Sequence, residues 1–173
     1  MALRESHKFV ATINGDTLTF ETGKLAEQAG GAVTVKYGDT VMFAVATMSK
    51  ETREMDFFPL SVDYEEKMYA AGRIPGSFFR REGRPSESAI LTGRVADRSI
   101  RPLFSDSLRN EVQVVLTAFS HDQERQVDVL GITAASAALM ISDIPWDGPV
   151  AGVRIGLIDG ELVVNPKISE MDK

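Results

Sequence analysis

The chain has 173 residues, 43% of them hydrophobic and 25% charged, with a formal net charge of −6 and no cysteine. That is enough apolar material for the core of one domain. The lack of thiols excludes disulfides, a thiolate nucleophile and a zinc–thiolate site, and the net acidity argues against indiscriminate wrapping of nucleic acid. In chain order, Val10 to Ile13, Asn14-Gly15-Asp16 and Thr17 to Glu21 predict a β-hairpin on an Asn-Gly turn. Gly30-Gly31 punctuates the next link. Ala32 to Tyr37, Gly38-Asp39 and Thr40 to Met48 predict a second hairpin. Phe58 to Tyr64 is a further strand that leads into an arginine-rich loop.

Residues 86–101 predict a helix. Ser86 caps it, Pro85 suits its first turn, and Glu87 sits at the positive end of the dipole. Ile90, Leu91, Val95 and Leu103 are expected to form its apolar face, and Pro102 stops it. Val112 to Phe119 is an apolar strand, and Val127 to Ser142 a buried helix of small residues. Val150 to Ile158 and Glu161 to Val164 predict a last hairpin on Asp159-Gly160. The final residues, NPKISEMDK, predict no element and look like a domain edge or the cut end of a longer chain. This order predicts an α+β or α/β layer structure with a mixed β-sheet packed with α-helices. The start, MALRESHKFV, lacks an apolar signal core, and no apolar run reaches membrane-spanning length. The expectation is a cytoplasmic protein with no membrane contact.

Charge is unevenly spread. Seven of the twelve arginines lie between Arg73 and Arg101. With Glu82, Glu87 and Asp97 the segment carries seven positive and three negative charges, a local +4 against −10 for the rest. Phe78 and Phe79 run directly into Arg80 and Arg81, and Arg84 follows. Rings on which bases stack, beside guanidiniums for phosphates, suit a single-stranded nucleic acid. The other reading makes the phenylalanines loop anchors, although neighbours on an extended segment face opposite sides and at most one would be buried. Arg94, Arg98 and Arg101 fall at i, i+4 and i+7 on the predicted helix, one stripe of like charge. They form either a wall for a phosphate backbone or a solvated face partly neutralised by Asp97 and Glu87.

Other chemistry is thinly supported. Asp63, Glu65 and Glu66 cluster near the loop, and Asp143 and Asp147 follow the second helix. Either group could hold Mg²⁺ or do acid–base work, but scattered acids on an acidic chain are ordinarily solvated. His7 and His121 have no partners at metal-ligand spacing, so no metal site is assigned. No Walker-type loop or GxSxG elbow is present.

The run DFFPLSVDYEEKMYAAGRIPGSFFRREGRPSE, followed by TGRVADRSIRPLF, NEVQVVLTAFS and ASAALMISDIPWDGPVAGVRIG, closely resembles the first ribonuclease PH-like domain of bacterial polynucleotide phosphorylases. The resemblance spans essentially residues 1–173. It implies an α+β ribonuclease PH-like domain cut short at its C-terminal end. A second ribonuclease PH-like domain and the KH and OB-type RNA-binding domains would then be absent. It also implies phosphorolysis: inorganic phosphate cleaves RNA from the 3′ end, reversibly, and releases nucleoside diphosphates. Mg²⁺ and phosphate would serve the intact enzyme, with nothing bound tightly by this stretch. The implied partners are single-stranded RNA, two further copies in a trimeric ring, and other RNA-degradation machinery.

The family's FFRR loop maps onto Phe78, Phe79, Arg80 and Arg81, where it lines the channel constriction and grips RNA. Arg94, Arg98 and Arg101 match arginines that the first domain offers to RNA phosphates. No catalytic residue is carried over. The phosphate-holding serine run of the active domain maps here to about Gln126, Val127 and Asp128, where a carboxylate repels phosphate. A rival reading is a non-catalytic RNA-binding or ring-assembly module of an exosome-like complex.

Overall fold

A computed structural model describes residues 5–76 and 78–171. Strands β1 (His7–Ile13), β2 (Asp16–Thr22), β3 (Gly31–Tyr37) and β4 (Thr40–Thr52) form an antiparallel meander. Asn14 and Gly15 both take positive φ, as the tight β1–β2 turn requires. β5 (Leu60–Glu66) is followed by a 3₁₀ turn (Met68–Ala71), the arginine loop, helix α1 (Glu87–Ile100) and β6 (Asn110–Ser120). The sheet order is β1-β2-β3-β4-β6-β5. β4 and β6 pair antiparallel, whereas β5 and β6 pair parallel across the α1 crossover. The sheet is therefore mixed, and the fold is α+β.

Both long helices cover one face of the sheet. α2 (Val127–Met140) packs against β3, β4 and β6, and α1 packs against β5 and α2. Val35, Met42, Ala44, Ala46, Val112, Val114 and Leu116 point into this layer with no exposure. The small residues of α2 matter here. A Cβ on Gly31 of β3 would lie 2.1 Å from the carbonyl oxygen of Ala138, so strand and helix touch backbone to backbone. Among the described residues no helix is long and apolar enough to cross a membrane.

Three expectations need correction. The buried face of α1 consists of Ala89, Thr92, Gly93, Ala96 and Ile100, while Ile90, Leu91 and Val95 are exposed. Small residues win because α1 lies close on β5: a Cβ on Gly93 would lie 3.1 Å from Val62 O. The last hairpin is shorter than expected, β7 (Ile155–Ile158) with β8 (Glu161–Val164). The preceding backbone is claimed by α2, since Val150 N–H donates to Ser136 Oγ (3.0 Å) and Gly152 N–H to Thr133 Oγ1 (3.2 Å). Finally, Ile168–Met171 forms one helical turn, α3, where Lys167 N–H donates to Glu170 Oε2 (2.8 Å). Asp172 and Lys173, part of the terminal stretch expected to be irregular, lie outside the described residues, as do the first four residues of the stretch read for a signal.

Candidate nucleic-acid interface

The parallel β5–α1–β6 crossover builds the site. β5 ends at the sheet edge, and the chain turns through Met68–Ala71 to Gly72, whose φ of 67° closes the 3₁₀ turn. The loop then runs to Ser86, whose Oγ accepts the Ala89 N–H (3.1 Å) and starts α1. Phe78 and Phe79 stand on this loop 95% and 77% exposed, respectively. Their rings meet edge to face, with centroids 5.4 Å apart and planes at 84°. Both rings face solvent, so the loop-anchor reading fails. Arg80 takes a φ of 47°, and it, Arg81 and Arg84 are exposed.

Along α1 the stripe divides. Arg94 and Arg98 are exposed, and neither has a salt-bridge partner among the described residues. Arg101 is tied inward. Its Nε and Nη2 donate to both oxygens of Asp97 (3.0 and 2.6 Å). Nη2 also donates to Leu60 O (3.1 Å) and Nη1 to Phe58 O (3.4 Å), while the guanidinium lies 6.0 Å from the Phe58 ring centre. Arg101 thus fastens the end of α1 to the start of β5. Trp146 also holds this end, donating its indole N–H to Ile100 O (3.0 Å). The spacing of Asp97 and Arg101, one helical turn apart, was the sequence signal for the first of these ties.

The outer face of α1 holds more than arginines. Ile90, Leu91 and Val95 alternate with Arg94 and Arg98, which gives an apolar and cationic surface continuous with the loop. Sequence reasoning assigned these three side chains to the core.

The acids and histidines are dispersed. Among the described residues no three His, Asp or Glu side chains gather to hold a metal ion. Asp63 accepts a long contact from Gln113 (3.5 Å), Glu65 pairs with Lys67 (3.2 Å), and Asp143 and Asp147 are exposed. These carboxylates do not form a cradle for Mg²⁺. His121 Nε2 meets Arg125 O (3.1 Å), and His7 lies exposed on β1.

At the N-terminus of α2, Gln126 is the cap residue. Asp128 Oδ1 accepts the Val129 N–H (2.9 Å), and Oδ2 pairs with Arg154. The chain's own carboxylate thus occupies the position where the helix dipole would attract a free anion. Nearby, Asp122 Oδ1 accepts the N–H groups of Glu124 and Arg125 (2.9 and 2.8 Å). Burial would raise the Asp122 pKa, but these bonds, the Thr40 hydroxyl and the Arg125 charge together hold it below its ordinary value.

The family described as "3′ exoribonuclease family, domain 1" matches residues 16–145, and "3′ exoribonuclease family, domain 2" matches residues 148–173. The chain is 58% identical over 172 residues to a polyribonucleotide nucleotidyltransferase of Roseiflexus castenholzii, covering 99% of this chain and 23% of that protein. It is 62% identical over 161 residues to one from Thermomicrobium roseum, covering 92% of this chain and 20% of that protein. The chain therefore spans less than a quarter of the length of these curated relatives. Among solved structures, an Archaeoglobus fulgidus exosome with RNA bound to the active site superposes with a TM-score of 0.63 at 22% identity, over 97% of this chain and 68% of that one. That likeness establishes the ribonuclease PH-like fold. With the family match covering most of its length and the mixed sheet and helices described above, this chain belongs to the 3′ exoribonuclease family.

Proposed function

We propose that this chain is the RNA-gripping first ribonuclease PH-like domain of a phosphate-dependent 3′-to-5′ exoribonuclease. In that reaction a phosphate oxygen attacks the terminal internucleotide phosphorus. The P–O3′ bond breaks, a nucleoside diphosphate leaves, and the shortened strand keeps a 3′ hydroxyl. The observation that carries the assignment is the exposed Phe78–Phe79 pair standing beside arginines without acidic partners. Phe78 and Phe79 stack bases, and Arg80, Arg81 and Arg84 hold phosphates at the entrance. Arg94 and Arg98 extend the track along α1 toward the scissile end. Arg101 chiefly holds α1 in place and reaches RNA only with the exposed part of its guanidinium.

The naming of the bacterial relatives supports the reaction class. Asp128 paired with Arg154 at the α2 N-terminus supports placing the chemistry outside this domain. In this reading phosphate and Mg²⁺ act at a site in the rest of the protein. The domain works within a homotrimeric ring in the cytoplasm and threads single-stranded RNA.

The test is binding of a labelled oligoadenylate across a salt series, followed by incubation with phosphate. Five phosphate contacts from Arg80, Arg81, Arg84, Arg94 and Arg98 give a slope of log K against log salt of about −3.5. The strand should bind and stay intact. A slope near zero would remove the arginine track. Phosphate-dependent release of ADP by this chain alone would show that it carries its own catalytic site.

A further inference from the structure

Beneath the arginine loop lies a cavity of about 560 Å³ that shares Arg81 and Arg84 with the RNA grip and adds Arg73. Its walls come from the end of β5 and the following turn (Tyr64, Lys67), the loop (Arg73, Arg81, Arg84) and the α1 cap Ser86. Glu65, Glu66 and Glu82 also line it. Two of these acids are already engaged: Lys67 Nζ lies 3.2 Å from Glu65 and 3.7 Å from Glu82, and Glu82 also accepts the Met68 N–H. Arg73, Arg81 and Arg84 have no acidic partner among the described residues. Three guanidiniums thus border one hollow without salt-bridge partners among the described residues, and Glu66 is the one acid on its wall left outside the Lys67 pairs.

A second observation is independent of these charges. Tyr64 forms part of the cavity wall, is only 4% exposed, and its hydroxyl has no hydrogen-bond partner. A buried O–H without a partner is rare in native folds and points to a missing acceptor. Burial raises the Tyr64 pKa and the charge of Glu66 raises it further, so the hydroxyl remains a donor at neutral pH. The adjoining N-terminus of α1 adds the positive end of a 14-residue helix. A phosphate answers several guanidiniums at once because it presents three acceptor oxygens, whereas a carboxylate fits a single fork. Met68 and Pro85 leave apolar wall for an organic group.

We propose that this cavity binds a small phosphorylated molecule through Arg73, Arg81 and Arg84, beside the buried and unpartnered Tyr64 hydroxyl, and that occupation withdraws Arg81 and Arg84 from RNA. The second half rests on the RNA reading above, and the first half does not. Two sources could supply the phosphate: a free metabolite, or a backbone phosphate of the RNA turned inward.

The probe is inorganic pyrophosphate, titrated calorimetrically into the chain without divalent cations and at fixed ionic strength. Oligoadenylate affinity is measured in parallel by fluorescence anisotropy. Wild type should bind pyrophosphate saturably. Arg73→Ala should weaken that binding at least tenfold and Tyr64→Phe several-fold, and both should bind RNA within twofold of wild type. Pyrophosphate should raise the apparent RNA Kd in wild type by a factor of one plus the ratio of its concentration to its own Kd, and in Arg73→Ala by the same expression with that ratio at least tenfold smaller. Pyrophosphate binding no stronger than that of sulfate, or equal in both variants, overturns the site. If Arg73→Ala weakens RNA as much as pyrophosphate, the hollow belongs to the RNA backbone and the free-molecule proposal fails. If RNA does not bind at all, the RNA reading fails while pyrophosphate binding and its dependence on Arg73 remain measurable.

Discussion

Arg94, Arg98 and Arg101 share a spacing but not their contacts, and replacing Arg98 and Arg101 by alanine tests whether their roles differ as well. In Arg101→Ala the bidentate pair with Asp97 is lost, and Leu60 O and Phe58 O lose a charged donor. The Arg101 and Asp97 side chains are 41% and 29% exposed, so the ion pair itself contributes about 0.3–1 kcal/mol. Hydrogen bonds from a charged group to carbonyls are worth about 1.5–3 kcal/mol each when well shielded, and roughly half that here, where one is long and both are partly solvated. The sum is about 2–4 kcal/mol. For a chain of this size that lowers Tm by roughly 4–16 °C. Arg98→Ala should change stability by less than about 0.5 kcal/mol while lowering the salt slope of RNA binding by about 0.7. Urea titration and oligoadenylate anisotropy on the two variants read both quantities. If Arg101→Ala is as stable as Arg98→Ala and loses more RNA affinity, its guanidinium serves RNA, and the tether described here is wrong.

Three further outcomes are expected. Phe78→Ala and Phe79→Ala should each weaken oligoadenylate binding by about 1–3 kcal/mol, roughly 5- to 150-fold, with an unchanged Tm; unaltered affinity in the double variant would count against stacking. Gly31→Ala should cost about 3 kcal/mol or more, because its Cβ would sit 2.1 Å from the Ala138 carbonyl oxygen and both atoms belong to packed backbone; a melting temperature within a degree or two of wild type would show that the strand and helix separate easily. Asp122 has a folded pKa below its ordinary value, so its stabilising contribution is complete above about pH 4 and fades as pH falls through the lower folded value. The stability gap between wild type and Asp122→Asn should therefore be constant from pH 5 to 7 and close in stronger acid; a gap that widens there would reverse the sign.

Much of the fold was legible because its elements obey local rules. Asn14-Gly15 and Asp159-Gly160 closed their hairpins, and Ser86 capped its helix, since turn and cap chemistry is written in a few adjacent residues. The arginine loop was legible as a charge anomaly. The orientation of α1 was not. Ranking side chains by hydrophobicity placed Ile90, Leu91 and Val95 inside, but the helix approaches β5 through Ala89, Gly93 and Ala96. Closeness of approach depends on the partner surface, which periodicity within one helix does not contain. Val150 to Arg154 failed for a related reason: its hydrogen-bond partners are hydroxyls of α2, distant in sequence. The tie from Arg101 to Leu60 and Phe58 likewise joins residues some forty positions apart.

The strand order also sets a sequence of events during synthesis. β1 to β4 pair in chain order, each with its predecessor, so those hairpins close as the chain emerges. β5 has no neighbour until β6 arrives, because among the described residues it pairs with that strand alone. Everything between them, the aromatic loop and α1 included, has only the unpaired β5 to dock on until Ser120 has been made. Closing that long loop is the slow, non-local step. The arginine track therefore takes shape after the β1–β4 meander, and a nascent chain paused before β6 presents its guanidiniums on an unanchored segment.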